Sequence, residues 1–375
     1  MPRRTATLVT SALLLIAMLS VAVLVRVDYA EMSPGPTFNT LGCGKGGRED
    51  LEAACEADDD PVLAIADAET YETSGHLNMT TVRVTGVGYR MNMLEAVRGW
   101  LSPDSAVVPH GTLYPDDRTA EEVDAENAEE FSRSQESAKV AALTELGYEI
   151  PTRTIVSSVI KDSPSEGVLH AGDVILAVDG TEVGEPAEVA ELVTRHEAGE
   201  DVVFTVVRAE EAEEGEPAGE EPEVTEDVTV TTAAAPDDGR AIVGIQAGTG
   251  HVLPFDIEIE LADIGGPSAG LMFALGLIDK LTPDDLTGGS FVAGTGTIDL
   301  EGNVGPIGGV SMKTLAARER GADFFLTPEE NCAAAAADSP DGLTLVKVTT
   351  MDDALDALAS IRDGDTGSVE TCAAR

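Results

Sequence analysis

The chain has 375 residues, enough for two or three compact domains in addition to a membrane anchor. Its 69 acidic residues outnumber its 23 basic residues, which leaves a net charge of −46. A surface with this charge repels phosphate backbones and anionic lipid headgroups. The composition therefore excludes a nucleic-acid-binding protein.

An uncharged apolar stretch lies at the start of the chain. Residues 6–25 match the length of about 20 residues that crosses the hydrocarbon core of a bilayer. Because Arg3 and Arg4 precede this stretch, we expect residues 1–27 to form a cytoplasmic stub and a single-pass cell-membrane anchor, with the rest extracytoplasmic. A cleaved signal peptide is the alternative, although its apolar run is usually shorter and the residues around Asp28 make a poor cleavage site.

The four cysteines suit an oxidising compartment. Their spacing contains no zinc-binding pattern, and no motif for another metal or a cofactor occurs, so two disulfides are the simplest interpretation. Three pairings are possible. We favour the two local ones, Cys43–Cys55 and Cys332–Cys372.

Residues 28–148 are expected to contain a tether followed by a β and helical segment. The tether is predicted at 29–47, where Gly and Pro interrupt the chain. A strand is predicted at 80–84. The composition of 120–146 favours a helix, and Gly147 stands where a C-terminal glycine ends one.

The next region, 149–233, has a clearer pattern. Strands are predicted at 155–160 and 202–207, and a short helix at 188–196. Alternating apolar residues around Asp179-Gly180 are typical of a hairpin.

The same region resembles a bacterial PDZ domain. The resemblance depends on Ser163-Pro164, on Gly172-Asp173-Val174-Ile175 and on Val178-Asp179-Gly180. It implies binding of peptide ends by strand addition at a sheet edge. The acidic stretch 209–227 is interpreted as a solvated insertion, and 228–231 as the strand that returns after it.

A pattern typical of acyl transfer follows residue 240. A strand is predicted at 255–261, a glycine-rich loop at 265–270 and a buried helix at 271–281, with Ser268 in the loop. Glycines and an unpaired helix start let backbone N–H groups approach a developing oxyanion. The alternative is that Pro267 merely begins a helix and the glycines form a turn.

The base that activates Ser268 is not predicted to be a histidine. The Gly-x-Ser-x-Gly pattern of α/β-hydrolases requires a downstream histidine. All five histidines lie upstream, namely His76, His110, His170, His196 and His251. Lysine is the common alternative, and Lys313 lies near the start of a helix predicted at 309–320. To act as a base it must lose its proton near neutral pH, so burial is expected to lower its pKa.

Two separated blocks, 265–270 and 295–309, together with Lys313, resemble the proteolytic domain of Lon peptidases. The resemblance covers about 237–363 and leaves 364–375 as a C-terminal tail. It implies that Ser268 is the nucleophile and Lys313 the base. It also implies supporting roles for Thr295, Gly266, Pro267 and Ala269. Many relatives carry aspartate or another polar residue where this chain has Gly265.

Anchor, PDZ-like region and Lon-like region together resemble membrane-tethered, PDZ-containing Lon-like peptidases of Gram-positive bacteria. The expected fold class is α+β with an N-terminal transmembrane helix. No Walker A pattern occurs, so we expect an ATP-independent serine endopeptidase that cleaves unfolded or flexible polypeptides. The alternatives are an inert peptide-binding scaffold and an enzyme limited to its own maturation. The resemblance also implies a homo-oligomeric ring.

Overall fold

The computed structural model describes residues 2–43, 61–114, 118–208, 224–261 and 264–372. The protein is a mixed helix and strand structure, as the sequence predicted. It divides into two compact units. The first comprises Met1–Ala64, Glu69–Ala142 and Glu258–Arg375, and the second comprises Ile65–Ala68 and Leu143–Ile257.

The helices are numbered in chain order among the described residues. They are α1 (Pro2–Leu24), α2 (Met93–Leu101), α3 (His110–Leu113), α4 (Ala120–Glu145), α5 (Pro186–Val193), α6 (Gly270–Leu281), α7 (Val310–Glu319), α8 (Cys332–Ala337) and α9 (Met351–Arg362), with a 3₁₀ turn at Glu329–Asn331. The helix predicted at 120–146 is confirmed as α4. Gly147 follows it at a φ of 84° and donates its N–H to the Thr144 carbonyl, which is the expected glycine termination.

The strands are numbered in the same way. They are β1 (Tyr29–Asn39), β2 (Leu63–Ile65), β3 (His76–Val84), β4 (Ala106–Pro109), β5 (Thr152–Val159), β6 (Val174–Val178), β7 (Thr181–Glu182), β8 (Asp201–Val207), β9 (Glu226–Thr231), β10 (Ala233–Ala234), β11 (Ala241–Ile242), β12 (Ile245–His251), β13 (Ile257–Ile259), β14 (Phe291–Gly294), β15 (Thr297–Ile298), β16 (Val304–Gly305), β17 (Phe324–Pro328) and β18 (Thr344–Val348). The strand predicted at 255–261 is thus shorter than expected.

Helix α1 contains a candidate membrane span. Among the described residues, only the stretch Thr5–Leu24 is long and apolar enough to cross a bilayer. None of this stretch is buried against the protein. The observation agrees with the anchor predicted at 6–25 by length and composition, and the membrane location itself stays a prediction.

The tether predicted at 29–47 is wrong for its first part. Residues Tyr29–Asn39 form β1, which pairs antiparallel with both β3 and β4. The Pro and Gly residues that indicated a tether lie at a break in the β1–β3 register between Pro34 and Thr37. A strand tolerates such residues at a bulge, so they interrupt the hydrogen-bond ladder without ending the strand.

A mixed six-stranded sheet organises the first unit, in the order β18-β17-β14-β3-β1-β4. Strands β3, β14, β17 and β18 are parallel to one another. Strand β1 is antiparallel to its two neighbours, β3 and β4. Strands from the regions 28–148 and 237–363 thus belong to one sheet, and the predicted domain limits stay a prediction. Short motifs could not reveal this pairing between segments far apart in sequence.

The predicted buried helix after the serine is confirmed as α6. Its residues from Gly270 to Asp279 are all buried. The ring of Phe273 contacts that of Phe131 on α4 edge-on, with centroids 5.9 Å apart. Helix α6 is thus fixed from several sides, and the loop before it has a rigid support.

The second unit contains an antiparallel sheet in the order β12-β5-β6-β8-β9, with β7 paired to β6. The predicted hairpin is confirmed. Asp179 and Gly180 connect β6 to β7 with φ values of 49° and 72°, the signs that a type I′ turn requires. Buried residues, including Val178 and Phe204, form its core together with α5.

Strand β9 pairs with β8 and confirms the strand expected to return after the acidic insertion. Residues 209–223 of that insertion lie outside the described residues. Strand β12 pairs with β5 along its length. Residues up to Ile257 belong to this unit, and the predicted domain limit at 233–237 stays a prediction.

Cys332 and Cys372 form a disulfide, as predicted. Cys43 is also disulfide-bonded, and its predicted partner Cys55 lies outside the described residues. The segment predicted as a C-terminal tail is partly structured, because Thr371 forms a β-bridge with Val346 of β18.

Candidate active site

The loop that carries Ser268 is held by α4. Gly266 donates its N–H to the Asn127 carbonyl at 3.0 Å, and the Ser134 hydroxyl donates to the Pro267 carbonyl at 2.9 Å. Gly265 passes so close to α4 that an added Cβ would lie 2.9 Å from the Cβ of Asn127. This close contact is a physical reason for glycine at position 265.

The predicted supporting residues of the loop have distinct local roles. Gly266 has a φ of 84°, which few other residues adopt, and Pro267 presents its carbonyl to α4. Ala269 is buried and precedes the first residue of α6. Among the described residues, the N–H of Ser268 has no acceptor. The loop therefore leaves a donor beside the nucleophile, as an oxyanion site requires.

Lys313 lies in the first turn of α7, and its side chain reaches Ser268. Its Nζ is 2.6 Å from the Ser268 Oγ, 2.9 Å from the Thr295 Oγ1 and 3.0 Å from the Thr80 carbonyl oxygen. Gly309 at the N-cap has a φ of 68° and packs against β1 and β3, where an added Cβ would lie 2.9 Å from the Met32 Cε. The start of α7 therefore packs closely against the sheet.

Thr295 follows β14 and connects the lysine to the serine. Its side chain is fully buried, and its hydroxyl donates to the Ser268 carbonyl at 2.9 Å. The Gly296 N–H donates to the same carbonyl at 3.0 Å. Two donors therefore fix the backbone of Ser268 from the sheet side.

The hydrogen-bond inventory determines the direction of the lysine lone pair. The Thr80 carbonyl can only accept, and the Thr295 hydroxyl already donates to Ser268, so both must accept from Nζ. A neutral amine has two N–H donors and one lone pair. With both donors engaged, the lone pair remains for the Ser268 hydroxyl, which is the geometry of a base accepting the serine proton.

Burial lowers the pKa of Lys313 to about 7. The side chain is only 3% exposed, and no carboxylate of a described residue forms an ion pair with it. Removing an ammonium from water without a counter-charge favours the neutral amine. The direction of the pKa change agrees with the sequence-based expectation and gives a substantial neutral fraction at neutral pH.

Sequence motifs missed the residues that support the site from outside the two blocks. The Thr80 carbonyl holds the lysine, and Asn127 and Ser134 hold the serine loop. Backbone carbonyls carry no residue signature, so only the predicted strand at 80–84 could have indicated Thr80. No local signal marked the two positions on α4.

An apolar cleft of about 320 Å³ opens beside Ser268. It is lined by Pro267, Ser268, Thr297, Pro306, Ile307 and Gly308. The Ser268 hydroxyl thus lies between a buried lysine and a space that can accept a substrate. Within the described ranges, no group of three or more His, Cys, Asp or Glu side chains could hold a metal ion.

Comparison with known protein families identifies two domains in the chain. Residues 123–216 match the PDZ domain family, and residues 262–360 match the Lon protease (S16) C-terminal proteolytic domain. Both domains were predicted from the motifs. The second match contains Ser268, Thr295 and Lys313.

Relatives of known sequence agree with the second match. Lon protease 2 of Bacillus subtilis is 38% identical over 109 residues, which cover 28% of this chain and 19% of that protein. The Lon protease of Koribacter versatilis is 47% identical over 66 residues, which cover 18% of this chain and 8% of that protein. The chain thus spans less than a fifth of the length of either relative.

Among solved structures, the PDZ domain of an SdrC-like protein from Listeria monocytogenes is similar to part of the chain. It is 23% identical with a TM-score of 0.20, and the match covers 25% of this chain and 86% of that chain.

Proposed function

We propose that this protein is an ATP-independent serine endopeptidase with Ser268 as the nucleophile and Lys313 as the base. The observation that carries the proposal is the 2.6 Å distance between the Nζ of a buried lysine, with no carboxylate partner among the described residues, and the Oγ of a serine just before a helix. The Lon-type proteolytic domain supports the same reaction class.

In the proposed reaction, the neutral amine of Lys313 takes the proton of the Ser268 hydroxyl while Oγ attacks a peptide carbonyl. The N–H groups of the loop stabilise the oxyanion. The ammonium then returns the proton to the leaving amine, and an acyl-enzyme remains. Lys313 next takes a proton from water, which attacks the ester, and finally gives that proton back to the Ser268 oxygen.

We propose that α1 tethers the protein to the cell membrane with its other residues extracytoplasmic, and that the PDZ domain helps select unfolded or flexible chains. The apolar span Thr5–Leu24 supports the tether. Strand addition at a PDZ sheet edge supports binding of extended peptide ends. The homo-oligomeric ring is part of the proposal, and mass photometry of the detergent-solubilised chain tests it.

Digestion of unfolded casein by the purified full-length protein tests the activity. Wild type is expected to cleave casein without added nucleotide, whereas Ser268→Ala is expected to lose cleavage. Ser290→Ala is a matched control in the same unit and should retain it. Equal rates for wild type and Ser268→Ala would end the proposal. Peptide binding by both proteins without cleavage by either would support the inert scaffold instead.

A further inference from the structure

Helix α2 exposes an unusually apolar face. Trp100 is 56% exposed and Leu101 is 80% exposed, although both are large apolar residues. We call the exposed side chains of α2 the interfacial face. It consists of Met93, Leu94, Val97, Trp100 and Leu101. A contiguous apolar patch of this kind is uncommon on a surface in contact with water.

The exposed face is not the one that packs against the protein. The residues of α2 buried in the fold are Ala96 and Gly99, which lie three positions apart on one side of the helix. At 100° per residue, the interfacial face spans an arc of about 120° on a different side. Helix α2 therefore has one small-residue face packed against the fold and a second, apolar face that is exposed. The exposed face is expected to contact an apolar environment.

Backbone hydrogen bonds place the start of α2 at the end of the apolar helix α1. The Val27 N–H donates to the Met91 carbonyl, and the Met93 N–H donates to the Val25 carbonyl, at 2.9 Å and 3.0 Å. The Arg26 guanidinium also donates to the Arg90 carbonyl at 2.9 Å. The interfacial face thus begins at the depth where α1 ends.

The residue types around this junction are those found at a membrane–water boundary. Trp100 and Tyr89 are exposed aromatic residues with polar atoms, and such rings concentrate at the headgroup level. Arg98 lies on α2 next to the apolar arc and is exposed. Long basic side chains extend from such positions toward headgroups. Elsewhere the acidic surface offers an anionic bilayer little attraction.

Helix α2 has its own N-terminal cap. Asn92 and Glu95 form a reciprocal capping box, with the Glu95 N–H bonded to the Asn92 side chain and the Asn92 N–H bonded to the Glu95 side chain. The interfacial face is therefore presented ready-made, and docking requires little further ordering of the chain.

We propose that α2 lies in the interface of the bilayer that α1 crosses, with its interfacial face in contact with the acyl-chain boundary. The proposal depends on the membrane tether proposed above. Lipid is favoured over a protein partner because the face continues the apolar surface of α1 and carries boundary residues. Amphipathic helices of this kind insert about 5–10 Å into the headgroup and acyl boundary.

Trp100 is the only tryptophan of the chain, so its fluorescence reports this site alone. The full-length protein is reconstituted in phosphatidylcholine vesicles brominated either near the carbonyl end or near the methyl end of the acyl chains. Roughly twofold quenching by the shallow bromines, and less by the deep ones, is expected for an interfacial helix. Emission unchanged by either lipid overturns the proposal. Acrylamide then shows whether water or a second protein chain covers the face.

A second tryptophan separates this inference from the tether. In a Trp100→Phe background, Leu15→Trp places the reporter within α1, and the deep bromines should quench it most. Quenching at Leu15→Trp without quenching at Trp100 overturns the α2 proposal and leaves the tether intact. Absence of quenching at both positions overturns both.

Charged substitutions test the face itself. Leu94→Glu with Leu101→Glu should remove most of the quenching of Trp100 by shallow bromines, because carboxylates leave the acyl boundary. Ile160→Glu is the matched control, since this exposed residue lies in the other unit. Retention of full quenching in the double variant contradicts the proposal.

Discussion

Two buried charged residues, one in each unit, differ in the groups that surround them. In the second unit, Asp173 is 1% exposed and accepts hydrogen bonds from the Arg208 guanidinium and the backbone N–H of His170, both at 2.8 Å. In the first unit, Lys313 is 3% exposed, and its hydrogen bonds to described residues go to hydroxyl and carbonyl oxygens. Asp173 is paired with an opposite charge, whereas no carboxylate of a described residue pairs with Lys313.

This difference separates a structural charge from the charge that the proposed mechanism uses. Arg208 also contacts Glu226 and the Val168 carbonyl, so it links several segments of its unit. No carboxylate of a described residue pairs with Lys313, and burial favours its neutral form. A buried charge without an opposite charge is costly to stability, and the proposed chemistry is a reason for its presence.

The largest expected effect comes from restoring a permanent charge at the reactive position. Lys313→Arg should lower kcat for casein or a flexible peptide by about 10³–10⁵-fold, because guanidinium does not release its proton near neutral pH. The wild-type rate should fall below pH 7 as the amine becomes protonated. A variant that retains a tenth of the activity with the same acid limb would show that another group is the base.

Breaking the paired charge should affect stability rather than chemistry. Arg208→Ala removes the guanidinium that pairs with the buried Asp173 carboxylate and should lower the free energy of unfolding of the second unit by about 3 kcal/mol. Hydrogen exchange of β8 and β9 peptides measures the change. Arg195→Ala is the matched control, because its pair with Glu191 is exposed and worth little. Similar losses in both variants would contradict the structural role of Asp173.

The unpaired lysine should make the first unit more stable at alkaline pH. The pKa of Lys313 is about 7 in the folded chain and 10.5 without burial, so the unfolded state binds more protons between these values. From pH 7 to 9, wild type should gain about 2 kcal/mol of unfolding free energy relative to Lys313→Met. Urea titrations in detergent, followed by Trp100 fluorescence, measure it. If the unfolding free energies of wild type and Lys313→Met change equally between pH 7 and 9, the amine of Lys313 is charged in the folded state.

A smaller effect is expected from the residue that orients the lysine. Thr295→Val removes the acceptor that holds one N–H of Lys313 and one of the two donors to the Ser268 carbonyl. It should lower kcat about tenfold with little change in KM, whereas Thr295→Ser should stay close to wild type. Equal losses in both variants would indicate a packing role for the methyl group.

The sequence predicted the central parts of the site because they lie in short continuous blocks. A glycine-rich loop, a serine and an apolar helix follow one another, and Lys313 comes shortly after a second glycine block. Chain order excluded a histidine base of the α/β-hydrolase kind. The buried contact between Lys313 and Ser268 then follows from the fold that these blocks adopt.

The rest of the fold could not be predicted from local patterns. Strand β3 supplies the carbonyl that holds Lys313, yet its parallel neighbour β14 comes more than 200 residues later. The Pro and Gly residues of β1 indicated a tether because a bulge and a loop have the same composition. Pairing between distant strands is decided by the whole core, and a single sequence window does not contain that information.

Strand β1 has a consequence for the region in which the enzyme can work. Met32 of β1 contacts the start of α7 and lies only eight positions after the end of α1 at Leu24. Eight extended residues span at most about 28 Å. With α1 in the bilayer, as proposed, α7 and its Lys313 stay close to the membrane surface. The proposed peptidase would then cleave chains in a thin layer above the lipid, which favours emerging or membrane-attached chains over freely diffusing ones.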